Sequence, residues 1–449
     1  MAPAKTVKRA GSKRKNEGDN KFSSRKKAAF NDEELSGDDF SAEEEARFES
    51  GGEGSEDEFA LETADETRLR LAKQYLETVT NEVKKIEEDD DADAFNQDAI
   101  AHRLQQDIAE AKGKRYKHVA DHLVGKDIQV SQVLRGHKLS VTSVALAGDD
   151  RTLCSAGKEG VVYLWDLESG TKKKIFPDEK FGKVVNGLAV SQDGQYVAIG
   201  GKDSLVHVYD VRQQKLASSF KGHRDAVTCL AFRKGTHQLF SGSLDRTIKI
   251  WNLDEMCYVE TLFGHQCQIN GIASLLRERC VSVGRDRTMR LWKVMEESQL
   301  IFRGHTHSID TVAMSNEEFF CGGSQDGGVS LWSVMKKKPT VIRRVAHGSD
   351  EFGNPNWISS VAALNYSDLI ASGSCDGLVR LWKCADQNSS LEEVAQLPVK
   401  GFVNSLCFSS TGRFLVAGVG QEHRLGRWKR MGEAKNSIVV LPLSQEDLV

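Results

Sequence analysis

Short runs of apolar and polar residues with a period of two recur along the chain from about residue 128 onward. AVTCLAF at 226–232 is one such run, and the period of two predicts a strand with one buried face. Gly, Asp and Ser separate these runs at intervals of about 8 to 12 residues, as in all-β folds. The pattern predicts many short strands joined by tight turns.

The predicted strands belong to a repeat that ends in an aromatic residue. Gly-His opens most copies, at His137, His223, His265 and His305, with Ala346-His347 as a looser copy. A period near 40–45 residues with Gly-His early and Trp late resembles the WD40 repeat, whose units each form one four-stranded blade. The fold class predicted is therefore all-β, a seven-bladed WD40 β-propeller over 128–443. Its aromatic anchors would be Trp165, Tyr209, Trp251, Trp292, Trp332, Trp382 and Trp428.

Polar residues inside these blades are expected to pair with one another. In the third repeat the chain of hydrogen bonds would join His223, Ser241 or Ser243, Asp245 and Trp251. A buried imidazole and carboxylate are tolerated only when they are paired. We therefore expect structural roles, and no metal site, for the Gly-His histidines and for the turn acids Asp245, Asp286, Asp326 and Asp376.

Two segments are candidates for the strand that closes the ring. IQVSQVL at 128–134 precedes the first repeat, and SIVVLPL at 437–443 follows the seventh. Either one removes an open sheet edge. The sequence does not choose between them, and we expect the unused one to pair elsewhere.

Charge is strongly segregated before the propeller. Residues 1–31 hold ten Lys or Arg against two acids, and residues 32–66 hold sixteen acids against Arg47 alone. Such blocks bury almost nothing apolar, so residues 1–62 are predicted to be disordered. Two basic clusters resemble a bipartite nuclear localisation signal, and contact with RNA phosphates is an overlapping role for them. They are Lys13, Arg14 and Lys15, and Arg25, Lys26 and Lys27.

Residues 63–127 are predicted to form a helical extension. Thr63 and Glu66 match a capping box, and apolar residues from Leu69 to Ile86 recur at helical spacing. The helix either packs on the protein itself or docks a partner protein. A second, weaker helix is predicted at about 96–113.

Chemistry-bearing motifs are sparse. The nine cysteines all follow residue 150 and form no C-x-x-C pair, and no nucleophile, base and orienting residue occur together. We expect no catalytic residue, no metal and no cofactor. No apolar run approaches the roughly 20 residues of a membrane helix, so no membrane partner is expected.

The remaining candidates for binding lie where WD40 blades face the entrance of the ring. Basic residues beside aromatic ones suit RNA, because phosphates meet cations and unpaired bases stack on rings. The insertion 346–357 and the stretch GVGQEHRLGRW at 418–428 are the least regular parts of the repeat. The candidates are Lys158, Lys202, Arg285, Trp357, Phe402, Arg424 and Arg427.

Three features together resemble a more specific family. ETRLRLAKQYLETV at 66–79, the seven repeats, and GFVNSLCFSSTGRFLVAGVGQEHRLGRW at 401–428 are similar to the U3 small nucleolar RNA-interacting WD-repeat proteins. The resemblance implies a nucleolar, non-enzymatic RNA-binding subunit of the U3 box C/D particle. It implies as partners the B/C motif of U3 RNA, the kink-turn-binding core protein and other small-subunit processome proteins, in pre-rRNA processing.

A second hypothesis is a WD40 scaffold that binds only proteins, such as a ubiquitin-ligase receptor or a chromatin adaptor. Ligase receptors often carry Trp-Asp-x-Arg at blade ends. The single Trp-Asp here, at Trp165, continues as Leu167-Glu168, which argues against a receptor of that kind.

Overall fold

The computed structural model describes residues 117–125, 128–175, 184–385 and 390–443. Within these ranges the chain forms 28 β-strands and one short 3-10 helix, Ala120–Leu123. The predicted tail at 1–62, the predicted helices of the extension and the six residues of the predicted localisation signal lie outside the described residues.

Each of the first four blades is an antiparallel sheet of four consecutive strands. Blade one contains β2 to β5 and blade two contains β6 to β9; blades three and four follow with β10 to β13 and β14 to β17. The strands from β2 onward are Val141–Leu146, Thr152–Gly157, Val162–Asp166, Lys172–Ile175, Val185–Val190, Tyr196–Gly201, Leu205–Asp210, Lys215–Lys221, Val227–Phe232, Gln238–Ser243, Thr247–Asn252, Cys257–Phe263, Ile269–Ser274, Arg279–Gly284, Thr288–Lys293 and Ser298–Arg303.

Blades five and six repeat this arrangement with β18 to β21 and β22 to β25, and blade seven combines the two ends of the ring. The strands from β18 onward are Ile309–Met314, Phe319–Ser324, Val329–Ser333, Val341–Arg343, Ser360–Ala363, Leu369–Gly373, Leu378–Ala385, Ser390–Pro398, Phe402–Phe408, Phe414–Gly420 and, as β28, Ser437–Pro442; β1 is Gln132–Leu134.

The first strands of neighbouring blades contact one another around a central channel, and β2 of blade one contacts β26 of blade seven. The predicted seven-bladed all-β propeller is therefore confirmed as a closed ring. The upper face is defined here as the face that carries the Gly-His turns and the turns between second and third strands.

Both candidate closing strands are used, in the same blade. Blade seven has the order β1-β28-β27-β26, with Val133 opposite Val439 in the outer pair. The expectation that one of the two segments pairs elsewhere was wrong. The segment at 437–442 is the third strand, and the segment at 132–134 is the outer strand that covers its edge.

Trp428 is not the seventh anchor, which corrects the prediction from the repeat. In the third blade Leu239 pairs with the anchor Trp251, and the matching pair in blade seven is Leu415 with Leu441. Leu441 is fully buried, whereas Trp428 is 56% exposed and precedes the third strand. Because the connection at 421–436 is long, the third strand of blade seven begins later in the chain than the repeat spacing predicts, and Trp428 stands near the position where the anchor was expected.

The hydrophobic core is divided among the spaces between adjacent blades. Phe220 of blade two stacks on Trp251 of blade three, with ring centroids 4.8 Å apart and an interplanar angle of 10°. Val206 and Val208 of blade two pack in the same cluster with Leu239 of blade three. Each anchor ring thus holds its blade against a neighbour.

Candidate nucleic-acid interface

The histidines of the Gly-His turns on the upper face make their hydrogen bonds within their own blades. In blade three, Asp245 accepts a hydrogen bond from Nδ1 of His223 at 2.9 Å, so Nε2 accepts from Ser241 at 2.7 Å. The Trp251 indole donates to Ser241 at 2.8 Å. Burial alone would raise the pKa of Asp245, but the hydrogen bonds from His223, Thr247 and the Arg224 amide hold it well below its usual value.

The same chain of contacts occurs in four further blades, with one change in blade one and one in blade five. Glu159 replaces the turn Asp beside His137, and in blade five the hydroxyl comes from Ser330, because Gly322 stands at the usual serine position. The sets are His137, Glu159, Ser155 and Trp165; His265, Asp286, Ser282 and Trp292; His305, Asp326, Ser330 and Trp332; and His347, Asp376, Ser372 and Trp382.

The three turn cations predicted to meet RNA differ in accessibility. Lys202 and Arg285 are exposed on the upper face. The Lys158 side chain is only 8% exposed, and its Nζ donates to the Gly426 carbonyl at 3.0 Å and lies 3.4 Å from Glu422. Burial lowers the pKa of Lys158, although Glu422 acts in the opposite direction. Lys158 holds the blade-seven connection, which leaves Lys202 and Arg285 as cations available to a phosphate.

Arg424 enters the central channel instead of facing solvent. Its Nη2 donates to the backbone carbonyl of Asp310 in blade five, and its amide donates to Asn404 Oδ1 at 2.9 Å. Burial lowers the pKa of Arg424 and raises that of Asp310, and each charge partly offsets the effect on the other. Arg424 therefore fixes the connection across the mouth of the ring.

The connection at 421–436 is tied to both sides of the ring closure. The Glu422 amide donates to Ser140 Oγ at 3.0 Å, and the Asn404 amide group donates to the Glu422 carbonyl at 3.0 Å. Arg427 is exposed and pairs with Glu422, with 3.1 Å between Nε and Oε2. Because these contacts fix Glu422 and Arg427, the next residues of the connection, Trp428 and Lys429, lie on the upper face.

Four rings meet where this connection crosses blades six and seven. His423 lies 5.7 Å from Trp357, 5.2 Å from Trp428 and 6.2 Å from Phe402, measured between ring centroids. The two tryptophan centroids are 5.3 Å apart. The predicted residues Trp357 and Phe402 are thus brought together, with Phe402 buried, Trp357 half-buried and Trp428 exposed.

His423 is a neutral hydrogen-bond donor in this cluster. Burial lowers its pKa to about 3, and the charges of Arg424 and Lys158 act in the same direction. Nδ1 accepts from the Leu425 amide at 3.2 Å, so the proton is on Nε2. Nε2 is buried and has no hydrogen-bond partner among the residues that the structure describes.

The insertion at 346–357 forms the other wall of the cluster as a small hairpin. Ser349 and Pro355 form an antiparallel bridge, and Asp350 accepts from the amides of Phe352 and Asn354 at 2.9 and 2.8 Å. At its base, the Ala346 amide donates to the Gly327 carbonyl of blade five at 2.9 Å. The hairpin is therefore held in place by its own contacts, and Trp357 follows it directly.

A cleft of about 780 Å3 opens between the hairpin, blade five and the blade-seven connection. Its acids are already engaged, since Asp326 pairs with His305 and Asp350 with the hairpin amides. Its exposed cations Arg344 and Lys429 have no ion pair within the described ranges. The lining includes Thr306, Gln325, Arg344, Asp350, Asn356, Trp357, Cys375, Phe402, His423, Trp428 and Lys429.

Sequence reasoning missed His423, Arg344 and Lys429 and gave Trp428 a different role. His423 stands inside the irregular stretch GVGQEHRLGRW, and a histidine outside the Gly-His register was a usable signal. Arg344 and Lys429 come from turns of different blades, and only the fold brings them together.

The described residues include neither a metal-binding cluster nor a helix that could span a membrane. Among them no group of three or more His, Cys, Asp or Glu side chains is placed to hold a metal ion. No helix in these ranges has the length and apolar character needed to span a membrane.

The family model of the WD domain, G-beta repeat matches the chain seven times, at residues 128–166, 170–210, 214–252, 256–293, 296–333, 349–383 and 392–426. Together with the closed ring, these matches define a WD-repeat β-propeller protein. The chain belongs to the family of U3 small nucleolar RNA-interacting WD-repeat proteins, as its relatives indicate.

Two relatives and one solved structure carry this assignment. The chain is 44% identical over 395 residues to U3 small nucleolar RNA-interacting protein 2 of Homo sapiens, covering 85% of this chain and 82% of the relative. It is 38% identical over 423 residues to the U3 snoRNP-associated protein-like EMB2271 of Arabidopsis thaliana, covering 87% and 88%. The structure of U3-55K matches with a TM-score of 0.68 and 47% identity, over 71% of this chain and 99% of that chain.

Proposed function

We propose that this protein is a non-enzymatic subunit of the U3 box C/D small nucleolar ribonucleoprotein that binds U3 RNA and acts in pre-rRNA processing and small-subunit biogenesis. Its place of action is the nucleolus. The B/C motif of U3 RNA is the proposed ligand, bound together with the kink-turn-binding core protein and other processome proteins.

The observation that carries the proposal is the composition of the upper face at blades five to seven. Trp357, Trp428 and the neutral donor His423 lie beside the exposed cations Arg344 and Lys429. Single-stranded RNA binds to such surfaces through stacked bases and phosphates that meet cations. Nothing comparable to a nucleophile with its base is present among the described residues of this face.

Retention of U3 RNA by the purified full chain together with the kink-turn protein tests the function. U3 RNA should be enriched over other box C/D RNAs. Equal retention of all box C/D RNAs, or of none, would contradict the proposal and favour the scaffold that binds only proteins.

The turn cations give a second test that separates Lys202 and Arg285 from Lys158. Removal of a cation that binds one phosphate should reduce the slope of log affinity against log salt by roughly 0.7 to 1. We expect this reduction for Lys202→Ala and Arg285→Ala. Lys158→Met removes a cation whose Nζ is engaged by Gly426 and Glu422, so the substitution should loosen the blade-seven connection and lower the affinity while leaving the slope unchanged.

A further inference from the structure

The cleft beside blade seven offers two chemical groups at once. One is the exposed indole of Trp428, and the other is the buried Nε2–H of His423, which has no acceptor among the described residues. A buried donor without an acceptor destabilises the fold. A ligand that supplies an acceptor at this depth while covering the indole would relieve that destabilisation.

We propose that this cleft binds one unpaired RNA base, with the base against the Trp428 indole and an acceptor on its edge at Nε2 of His423. The inference rests on the proposed function only in taking RNA as the ligand class. It adds to that function a defined pocket for a single nucleotide.

The charges around the cleft favour a nucleotide over a cationic peptide. The carboxylates of Asp326 and Asp350 are fixed by His305 and by the hairpin amides, and the charge of Asp350 interacts with that of Lys429. Arg344 and Lys429 remain to meet the phosphates on either side of the bound base. A methylated lysine would be repelled by both of these cations, and only the fixed carboxylates of Asp326 and Asp350 would offset that repulsion.

The walls of the pocket are held in place before any ligand arrives, whereas Nε2 of His423 is covered until a side chain over it moves. Lys158 holds the Gly426 carbonyl, Arg424 fixes the connection in the channel, and the hairpin amides fix Asp350. At Gly426 a Cβ would lie 1.8 Å from the Trp428 ring, so the indole packs directly over the backbone there. A base therefore stacks on a ring whose support is already in place.

The test is a titration of the full chain with a fluorescently labelled octamer of uridine. Trp428→Ala should weaken binding by about 5- to 150-fold, as expected for the loss of one base stack. His423→Phe keeps a ring but removes the Nε2 donor together with the Nδ1 acceptor of the Leu425 amide, and should weaken binding by about 2- to 10-fold while changing the resistance to urea little.

Phe352→Ala is the matched control. Phe352 is an aromatic residue on the same upper face, 87% exposed at the hairpin tip and outside the cleft lining, and its loss should change affinity by less than about twofold. Unchanged octamer affinity for Trp428→Ala would overturn the inference. So would Trp428-dependent binding of a trimethyl-lysine peptide without binding of the octamer, which would assign the cleft to a protein partner.

Retention of U3 RNA, measured in parallel, keeps this inference separable from the proposed function. Unchanged octamer affinity for Trp428→Ala, together with full retention of U3 RNA, would remove the base pocket and leave the function standing. Octamer binding that depends on Trp428, combined with no enrichment of U3 RNA by the unaltered chain, would support the base pocket and contradict the proposed function.

Discussion

Blades three and seven have the same four-stranded sheet but bury different groups at the anchor of the third strand. In blade three the anchor is Trp251, whose buried indole donates to Ser241. The Ser241 hydroxyl in turn donates to His223, and His223 donates to the turn acid Asp245. In blade seven the anchor is Leu441, which has no polar atom in its side chain and requires no such partner.

This difference accounts for the long connection in blade seven, on which the proposed binding surface lies. In blade three only residues 244–246 join the second and third strands, because the turn must deliver Asp245 to its histidine. In blade seven residues 421–436 make the same connection without that constraint. Because blade seven has no buried hydrogen-bond chain of His, Ser and Trp, the connection between its second and third strands can be longer. This longer connection carries His423 and Trp428 on the upper face.

The largest expected difference is in stability. Trp251→Ala should lower the free energy of unfolding by about 3–5 kcal/mol, because it leaves a cavity between two blades and removes the indole hydrogen bond to Ser241. Trp428→Ala should cost about 1 kcal/mol or less, since the ring is 56% exposed. Urea unfolding of both variants measures this, and equal losses would contradict the assignment of Leu441 as the anchor.

Most of the fold was predictable from sequence because the repeat has a strong pattern of its own. Trp165, Trp251, Trp292, Trp332 and Trp382 fall in register, and each indole bonds to the serine expected of a WD40 blade or to its substitute. The seventh blade was misassigned because Leu441 is indistinguishable in sequence from any strand leucine, while Trp428 happens to stand near the expected spacing.

The site was less predictable because its contacts are long-range. The partner of Lys158 is 264 residues away in sequence, and Arg424 reaches a carbonyl 114 residues away. Sequence position placed both residues on the entrance of the ring, but could not show that one supports a connection and the other enters the channel. Trp357 and Phe402 were recognised because the repeat did not explain Trp357 and both were expected just before first strands; Phe402 is in fact the first residue of β26.

Arg424→Met should have the next largest effect. The substitution removes a cation that donates to the Asp310 carbonyl and offsets the charge of the buried Asp310 side chain, and should cost about 1–3 kcal/mol of unfolding free energy. Arg427→Met is the control, because its exposed pair with Glu422 contributes about 0–1 kcal/mol. Urea unfolding is the measurement; a smaller loss for Arg424→Met than for Arg427→Met would show that the channel contact does not hold the connection.

Lowering the pH should have a smaller effect on the free energy of unfolding. The pKa of Asp245 in the folded protein lies below its unfolded value near 3.9, so this group stabilises the fold above that pH and loses its contribution as the pH falls below about 4. Asp245→Asn removes that contribution. The difference in unfolding free energy between the unaltered chain and Asp245→Asn should therefore be greatest near pH 7 and shrink below about pH 4, and a difference that grows on acidification would refute the pairing with His223.

The smallest expected change in stability comes from Gly426→Ala. The added methyl group would displace the Trp428 ring, which is free to move outward into solvent, so the unfolding free energy should change by less than about 1 kcal/mol. Uridine-octamer affinity should nevertheless fall toward that of Trp428→Ala. Unaltered affinity would mean that the position of the indole does not matter for binding.

Photo-cross-linking of U3 RNA to the full chain, followed by peptide mapping, tests most directly whether the upper face at blades five to seven binds RNA. We expect cross-links within the blade-seven connection at 421–436 and the hairpin at 346–357. Cross-links confined to the opposite face, at the turns 191–195 and 233–237 between first and second strands, would contradict an RNA site on the upper face.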